Sequence, residues 1–260
     1  MISRLDVELA TRGLARSRSH ARELIDQRRV LVNGNAAVKA AQQVAADDRL
    51  ELTGSDPYVS RAAYKLIGAL DDLDIAVPDR VLDAGASTGG FTQVLLERGS
   101  AEVIAVDVGH DQLHPLLRQD PRVAAHEGHN LRDLDLGLLD GRPVDLVVAD
   151  VSFISLTLLL PPLTSVLAAD GRLLTMIKPQ FEVGRDRLGK GGVVRTDELR
   201  RVGVQAVVDA AAGLGWHPQA AAVSRLPGPA GNIEYFVCFQ LKPPVAGIVD
   251  RLFDQNAVPR

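Results

Sequence analysis

Apolar positions recur at helical spacing from the start of the chain. Leu5, Leu9 and Ala10 share one face of SRLDVELATRG, and Ala21, Leu24 and Ile25 share one face of SRSHARELIDQRR. These stripes predict two short helices, with Ser3 and Ser17 as caps and Gly13 as a stop. The period then changes. Val30 and Val32 alternate in VLVNGNAAV, Asn33-Gly34 signals a tight turn, and DDRLEL reads as a further short strand. Residues 3–53 therefore read as two short helices joined to a small sheet. TGSDPYVSR follows, with Gly54, Ser55, Asp56 and Pro57 in a row, and reads as a linker.

Beyond it, helical and near-continuous apolar segments alternate. Helix SRAAYKLIGALDDL precedes strand RVLDAG, and helix GFTQVLLERG leads to strand EVIAVD. Strands RVAAHE and VDLVVAD follow, then helix SLTLLLPPLTSVLA, strand RLLTMIKP, a long helix near 196–214, and strands near 220–225 and 233–241. This pattern predicts an α/β fold with a doubly wound, mostly parallel sheet, preceded by the small α+β piece. The last strand follows a turn-rich LPGPAGN and is expected to run antiparallel. The expected division is 1–54, a linker at 55–60, a main domain at 61–245, and a tail at 246–260 that the sequence leaves open between a short helix and disorder.

Composition narrows the function classes. The 260 residues are 46% hydrophobic and 24% charged, in the globular range. Aromatics are only 4%, so the core is aliphatic. Cys238 is the only cysteine, which rules out an internal disulfide and a multi-cysteine zinc site and fits a reducing cytoplasm. No signal peptide is expected at the N-terminus, and FISLTLLLPPL is too short to span a bilayer. The net charge of −4 conceals an asymmetry. Residues 1–40 carry 8 Lys/Arg against 4 Asp/Glu, and the remainder carries 21 against 29. A basic first piece on an acidic body suits a polyanion, although a solvated charged helix gives the same count. Arg12, Arg16, Arg18, Arg22, Arg28 and Arg29 cluster around the second helix, with Arg4 ahead of them and Arg61 after the linker. Grouped arginines with few aromatics fit phosphate and shape recognition of folded RNA better than base stacking.

The chemistry centres on VLDAGASTGGFTQVLLERG, residues 81–99. Open parallel sheets bind ligands beyond the carboxyl ends of their strands. Asp83, Gly85, Ala86, Ser87, Thr88, Gly89, Gly90 and Phe91 fall there, and Asp107 ends the next strand, where a carboxylate can accept both hydroxyls of a ribose. The glycine order differs from G-x-G-x-x-G, and Phe91 stands where a phosphate-loop lysine would follow. A ribose-bearing ligand without phosphates fits, namely S-adenosylmethionine, although a glycine-rich loop after a strand can also be no more than a tight turn. Four polar residues sit in apolar surroundings: Lys65, Asp150, Lys178 and Glu234. Each has a bland explanation. A helix lysine is usually solvated, a strand-end carboxylate can cap a turn, Lys178 can snorkel past Pro179, and Glu234 can lie on an exposed edge. Asp150 and Lys178, however, both end strands on the ligand side. FEVGRDRLGKGGVVR, with Arg185, Arg187, Lys190 and Arg195, is either a basic flap over a target or an ordinary exposed loop. His110 and His114 are four apart with no evident third ligand and read as structural, so no metal site is expected.

These motifs carry a resemblance. RLDVELATRGLARSRSHARELIDQRRVLVNG is similar to the S4 RNA-binding module, with Arg28 where that family usually has glycine. DAGASTGGF resembles the first loop of S-adenosylmethionine-dependent methyltransferases. The Lys65, Asp150, Lys178, Glu234 set resembles the tetrad of FtsJ-like ribose 2′-O-methyltransferases. With DLVVADVSFISL, IKPQFE and LPGPAGNIEYF, the likeness over residues 4–241 is to the TlyA, or hemolysin A, family. Tyr58 stands where that family often has tryptophan. The resemblance implies a Rossmann-like methyltransferase sheet and transfer to cytidine ribose in 23S rRNA, with 16S rRNA a second substrate in some members. It implies Lys178 as proton acceptor or activator of the hydroxyl, Asp150 orienting it, and Lys65 and Glu234 positioning the ribose. It also points to Asn130 and Asp150 beside the adenine and methionine ends of the cofactor. The competing classes are an S4-type ribosome-binding protein without catalysis and a membrane-active hemolysin.

Overall fold

The computed structural model describes residues 2–15, 18–26, 28–54 and 57–254. The chain divides into two compact units, Met1–Pro57 and Tyr58–Arg260. In the first, β1 (Ile2–Arg4) leads into α1 (Leu5–Thr11), followed by α2 (Arg18–Asp26), β2 (Val30–Val32), β3 (Asn35–Ala36), β4 (Gln43–Ala45) and β5 (Leu50–Leu52). Leu5 and Leu9 of α1 and Ala21, Leu24 and Ile25 of α2 bury their shared faces against Val30 and Val44. Asn33 and Gly34, both at positive φ, close the two-residue hairpin that pairs Val32 with Asn35. Ser3 does not cap α1. It lies in β1 opposite Val44, because the chain enters the helix straight from a strand, and Arg4 holds the cap position without a side-chain capping bond. Ser17 lies outside the described residues. Arg28 takes φ +57, the left-handed conformation that glycine adopts freely after a helix, and its N–H donates to Ile25 O.

The second unit begins with α3 (Ala62–Asp72), β6 (Arg80–Ala84), α4 (Gly90–Glu97), β7 (Glu102–Asp107), α5 (Pro115–Arg118) and β8 (Val123–Glu127). It continues with β9 (Val144–Ala149), α6 (Leu160–Ser165), β10 (Leu167–Ile177), α7 (Pro179–Glu182), α8 (Asp197–Gly213), β11 (His217–Val223), β12 (Tyr235–Gln240) and α9 (Ile248–Phe253). The seven strands run in the order β11-β12-β10-β9-β6-β7-β8, and β12 is antiparallel to both its neighbours. Alternate residues feed two cores. Leu82, Ile104 and Val147 face one side, and Val81, Val103 and Leu146 face the other.

Two consequences position the site. First, β6 has β7 on one side and β9 on the other, so the chain leaves β6 and β9 toward opposite sides and a crevice opens beyond the contact of their loops, at the point where strand order reverses. Second, β12 pairs Tyr235 with Ile177. Continuing that register sets Glu234 opposite Lys178, so an antiparallel strand delivers its start to the edge where the parallel strands end. One sequence expectation is corrected here. The stretch 155–168 is not a single helix. It is a 3-10 turn at Leu156–Leu158, then α6 with Pro161 and Pro162 in its first turn, and Leu167 already begins β10. Proline lacks the N–H an interior helical turn needs but fits the first turn, so the helix restarts there.

Candidate active site

The glycine-rich loop folds back on β7. Gly85 and Ala86 donate their N–H groups to Val106 O, and Gly89 donates to Ala86 O. Gly85 has φ +87, and a Cβ there would lie 2.5 Å from Asp150 O, so only glycine allows the loops after β6 and β9 to touch. Gly90 is closed in similarly, with Ser60 and the start of α3 against it. Gly85 and Ser87 line a cleft of about 600 Å³ with Asp107, Asn130 and Asp150. Ala86, Thr88, Gly89, Gly90 and Phe91 build the turn behind it, and Phe91 is buried against Phe236.

The carboxylates at this cleft are placed by backbone donors. Asp107 accepts from Ser87 N at 2.8 Å and Gly109 N at 2.7 Å, one bond on each oxygen. Its remaining acceptor capacity suits paired ribose hydroxyls. Asn130 caps a 3-10 turn through Oδ1, which accepts from Arg132 N. Glu127 gathers the N–H groups of Leu113, Gln112 and Asp111 with Arg118, and these donors pull its carboxyl down to about 2. That bond set fixes Gln112, which also lines the cleft. Asp83 is fully buried. Burial pushes its carboxyl up to about 7, although Thr92 donates to Oδ2 at 2.6 Å, and Oδ1 has no partner. The cleft itself is lined by two carboxylates, Asp107 and Asp150, which fits a cationic, ribose-bearing ligand.

The four singled-out residues form two ion pairs. Lys178 Nζ lies 2.6 Å from Asp150 Oδ1 and donates to Ser152 Oγ at 2.8 Å. Lys65 Nζ donates to Glu234 Oε2 at 2.5 Å, with both side chains almost wholly buried. Lys178 and Glu234 line a second cleft of about 470 Å³. Ser152, Phe153 and Ile154 line both clefts. The Asp150–Lys178 pair therefore spans the boundary, its carboxylate on one cleft and its ammonium on the other.

Sequence reasoning missed Phe153. It is 92% exposed, holds φ +66, and its ring centroid lies 5.4 Å from that of Phe181. A bulky residue in left-handed backbone with its ring in solvent is costly unless something uses it. The only signal in the sequence was an aromatic three residues after Asp150 in a chain poor in aromatics. Val108, Gln112 and Arg132 were missed too, and each lies just beyond a residue that was singled out or beside its loop. Arg185 lines the second cleft, while Arg187 and Lys190 are exposed on the same loop. That loop is tied down by the buried Asn232, whose Oδ1 accepts from Val194 N and whose Nδ2 donates to Gly192 O. His114 caps α5 by accepting from Leu116 N.

In the first unit the arginines have different employments. Arg12 pairs with Glu8 and donates to the carbonyls of Ala45, Ala46 and Asp48, which clamps α1 to the β4–β5 turn. Arg29 donates to Thr53 O and Gly54 O. Arg4, Arg18 and Arg22 converge on Asp6. Arg28 is exposed, Arg61 is half-buried at the start of α3, and Arg16 lies outside the described residues.

Comparison with known proteins places the chain in a family. The FtsJ-like methyltransferase model matches residues 58–241, and the S4 domain model matches residues 3–50. The chain is 51% identical to the 16S/23S rRNA (cytidine-2′-O)-methyltransferase TlyA of Mycobacterium tuberculosis, over 90% of this chain and 88% of that one. It is 38% identical to Hemolysin A of Brachyspira hyodysenteriae, over 91% and 99%. A solved structure of a putative hemolysin from Streptococcus thermophilus superposes with a TM-score of 0.76 at 34% identity, covering 96% of this chain and 94% of that one. The expected family is therefore the one found, and the chain belongs to the TlyA family of FtsJ-like methyltransferases that carry an S4 domain.

Proposed function

We propose that the protein transfers a methyl group from S-adenosylmethionine to the 2′-oxygen of a cytidine ribose in ribosomal RNA, 23S first and 16S as a second substrate. The observation that carries this reading is the Asp150–Lys178 pair at the meeting of two clefts. One cleft has the ribose-accepting carboxylate and no phosphate grip, and the other opens onto an exposed aromatic ring and Arg185. When bound, the cofactor supplies an electrophilic methyl on a positively charged sulfur.

The chain's own residues do the rest. Asp107 holds ribose hydroxyls, Asn130 meets the adenine end, and Asp150 faces the methionine end. Lys178 Nζ lies against Asp150 and donates to Ser152, and in its neutral amine form it keeps a lone pair for the proton of the acceptor hydroxyl. A ribose hydroxyl is a poor nucleophile at neutral pH, so passing its proton to the neutral Nζ amine, which becomes an ammonium beside Asp150, as the oxygen attacks accelerates transfer by about 10²- to 10⁴-fold. Glu234, held by Lys65, lines the acceptor cleft and positions the ribose. Phe153 gives the cytosine base a face to stack on. The S4 unit docks folded RNA through its arginines. Among the described residues no helix is long and apolar enough to cross a membrane. The proposed place of action is the cytoplasm, where ribosomal particles are.

The test uses isolated ribosomal subunits and cofactor labelled in the methyl group, followed by digestion to nucleosides. Label in 2′-O-methylcytidine supports the proposal. Label on a base or on ribosomal protein, or no transfer, overturns it.

A further inference from the structure

Asp6 sits in the first turn of α1 and has no solvent-exposed side-chain surface. Among the described residues, three guanidiniums cover it. Arg4 grips both oxygens, with Nε at 2.9 Å from Oδ1 and Nη2 at 3.1 Å from Oδ2. Arg22 Nε reaches Oδ2 at 3.1 Å and Arg18 Nη2 at 3.4 Å. Arg4 comes from β1, and Arg18 and Arg22 stand one turn apart on α2. The side chains remain 41%, 56% and 53% exposed for Arg4, Arg18 and Arg22.

A surface ion pair needs one arginine for one carboxylate. Here, among the described residues, one carboxylate faces three arginines, so these four side chains keep a surplus of two positive charges on their outer side. Three long side chains lose rotamer freedom here before any ligand arrives. Free arginines would repel one another and sample many directions, and ordering them on a polyanion would cost affinity. A buried carboxylate behind them removes both costs. It draws the guanidiniums into one patch while their outer edges stay available for phosphate oxygens.

We infer that Asp6 is a positioning residue that pre-orders Arg4, Arg18 and Arg22 into a single phosphate-binding patch for the RNA backbone. The inference rests on the RNA-docking reading of the S4 unit given above. It departs from a simple charge account, in which Asp6 only subtracts from the positive field.

The test measures binding of the full chain to a fluorescent hairpin RNA over a series of salt concentrations, with circular dichroism confirming the fold. Arg18→Gln and Arg22→Gln are each expected to weaken binding and to lower the salt slope by about one. Arg18→Lys and Arg22→Lys keep the charge but lack the planar fork that bridges Asp6 and phosphate. They are expected to weaken binding about as much as the glutamines do, roughly five- to tenfold. Asp6→Asn makes the chain more positive by one charge, yet binding is expected to weaken roughly tenfold. Lysine variants that bind like wild type while the glutamine variants do not would overturn the positioning role and leave the docking reading intact. The same holds for a folded Asp6→Asn that binds as well as or better than wild type. Glutamine variants with unchanged binding and salt slope would overturn the docking reading of this face, and the inference with it. If Asp6→Asn does not fold, the exposed lysine variants decide the matter alone.

Discussion

Asp6 and Glu234 are both carboxylates closed off from solvent, and they are used in opposite ways. Asp6 gathers arginines from within 16 residues of itself, and those arginines stay exposed. Glu234 pairs with Lys65, 169 residues away, and both partners are buried. The local hub projects charge outward from a small α+β unit. The long-range pair balances charge inside a cleft, where the chain has been folded around it. Recognition of a polyanion needs net charge at a surface. Proton handling needs paired charge in a dry place, where one partner's loss is felt by the other.

The sharpest way to break this contrast is at the other lysine–carboxylate pair, Lys178 with Asp150. Lys178→Ala is expected to lower methyl transfer by about 10²- to 10⁴-fold, with cofactor affinity by equilibrium titration changed only a few-fold. Comparable losses of binding and turnover would make Lys178 a structural residue.

Asp83 offers the next largest effect. Its folded carboxyl holds a proton up to about pH 7 because it is buried, whereas the unfolded chain releases it near the ordinary carboxylate value. The folded state therefore binds more protons between about pH 4 and 7, so stability falls across that window by about 4 kcal/mol and is flat above it. Asp83→Asn, which stays neutral, should lose that slope in denaturant titrations at several pH values. A wild-type curve that is flat from pH 4 to 7 would show that the site relieves the burial in another way.

Breaking the other pair should cost somewhat less. Glu234→Ala leaves the Lys65 ammonium buried without a partner and is expected to destabilise the protein by about 3 kcal/mol. Adding Lys65→Met, which fills the space without charge, should recover part of that loss. Additive losses in this double-mutant cycle would mean that the two do not act as a pair.

The smallest effect belongs to the first unit. Arg28 holds a left-handed conformation after α2, so Arg28→Gly is expected to stabilise by about 1 kcal/mol. Because Arg28 lies outside the Asp6 cluster, its replacement should leave the effect of Arg18 and Arg22 changes on RNA binding unaltered.

Much of this was legible because it is local. The stripe on α2, the Asn33-Gly34 hairpin and the strand-loop-helix around Gly85 are all written within a few residues. Strand β1 was not, because three residues without alternation carry no period, and Ser3 looked like a cap. The break at 155–168 was hidden by leucines that suit helix and buried strand alike, with Pro161 and Pro162 as the only marks. Lys65, Asp150, Lys178 and Glu234, with Asp150 as the partner of Lys178, could be named from motif resemblance, but where Glu234 falls depends on β12 inserting antiparallel beside β10. Phe153 was invisible for a related reason. Its importance lies in backbone strain and exposure, and neither is a property of sequence.

The most direct measurement of the central claim is a map of 2′-O-methyl groups on the ribosomal RNA of cells with and without this protein. Cells lacking it are predicted to lose the modification at one or more cytidines, restored by the wild-type chain and not by Lys178→Ala. Identical maps, or full restoration by Lys178→Ala, would contradict the account.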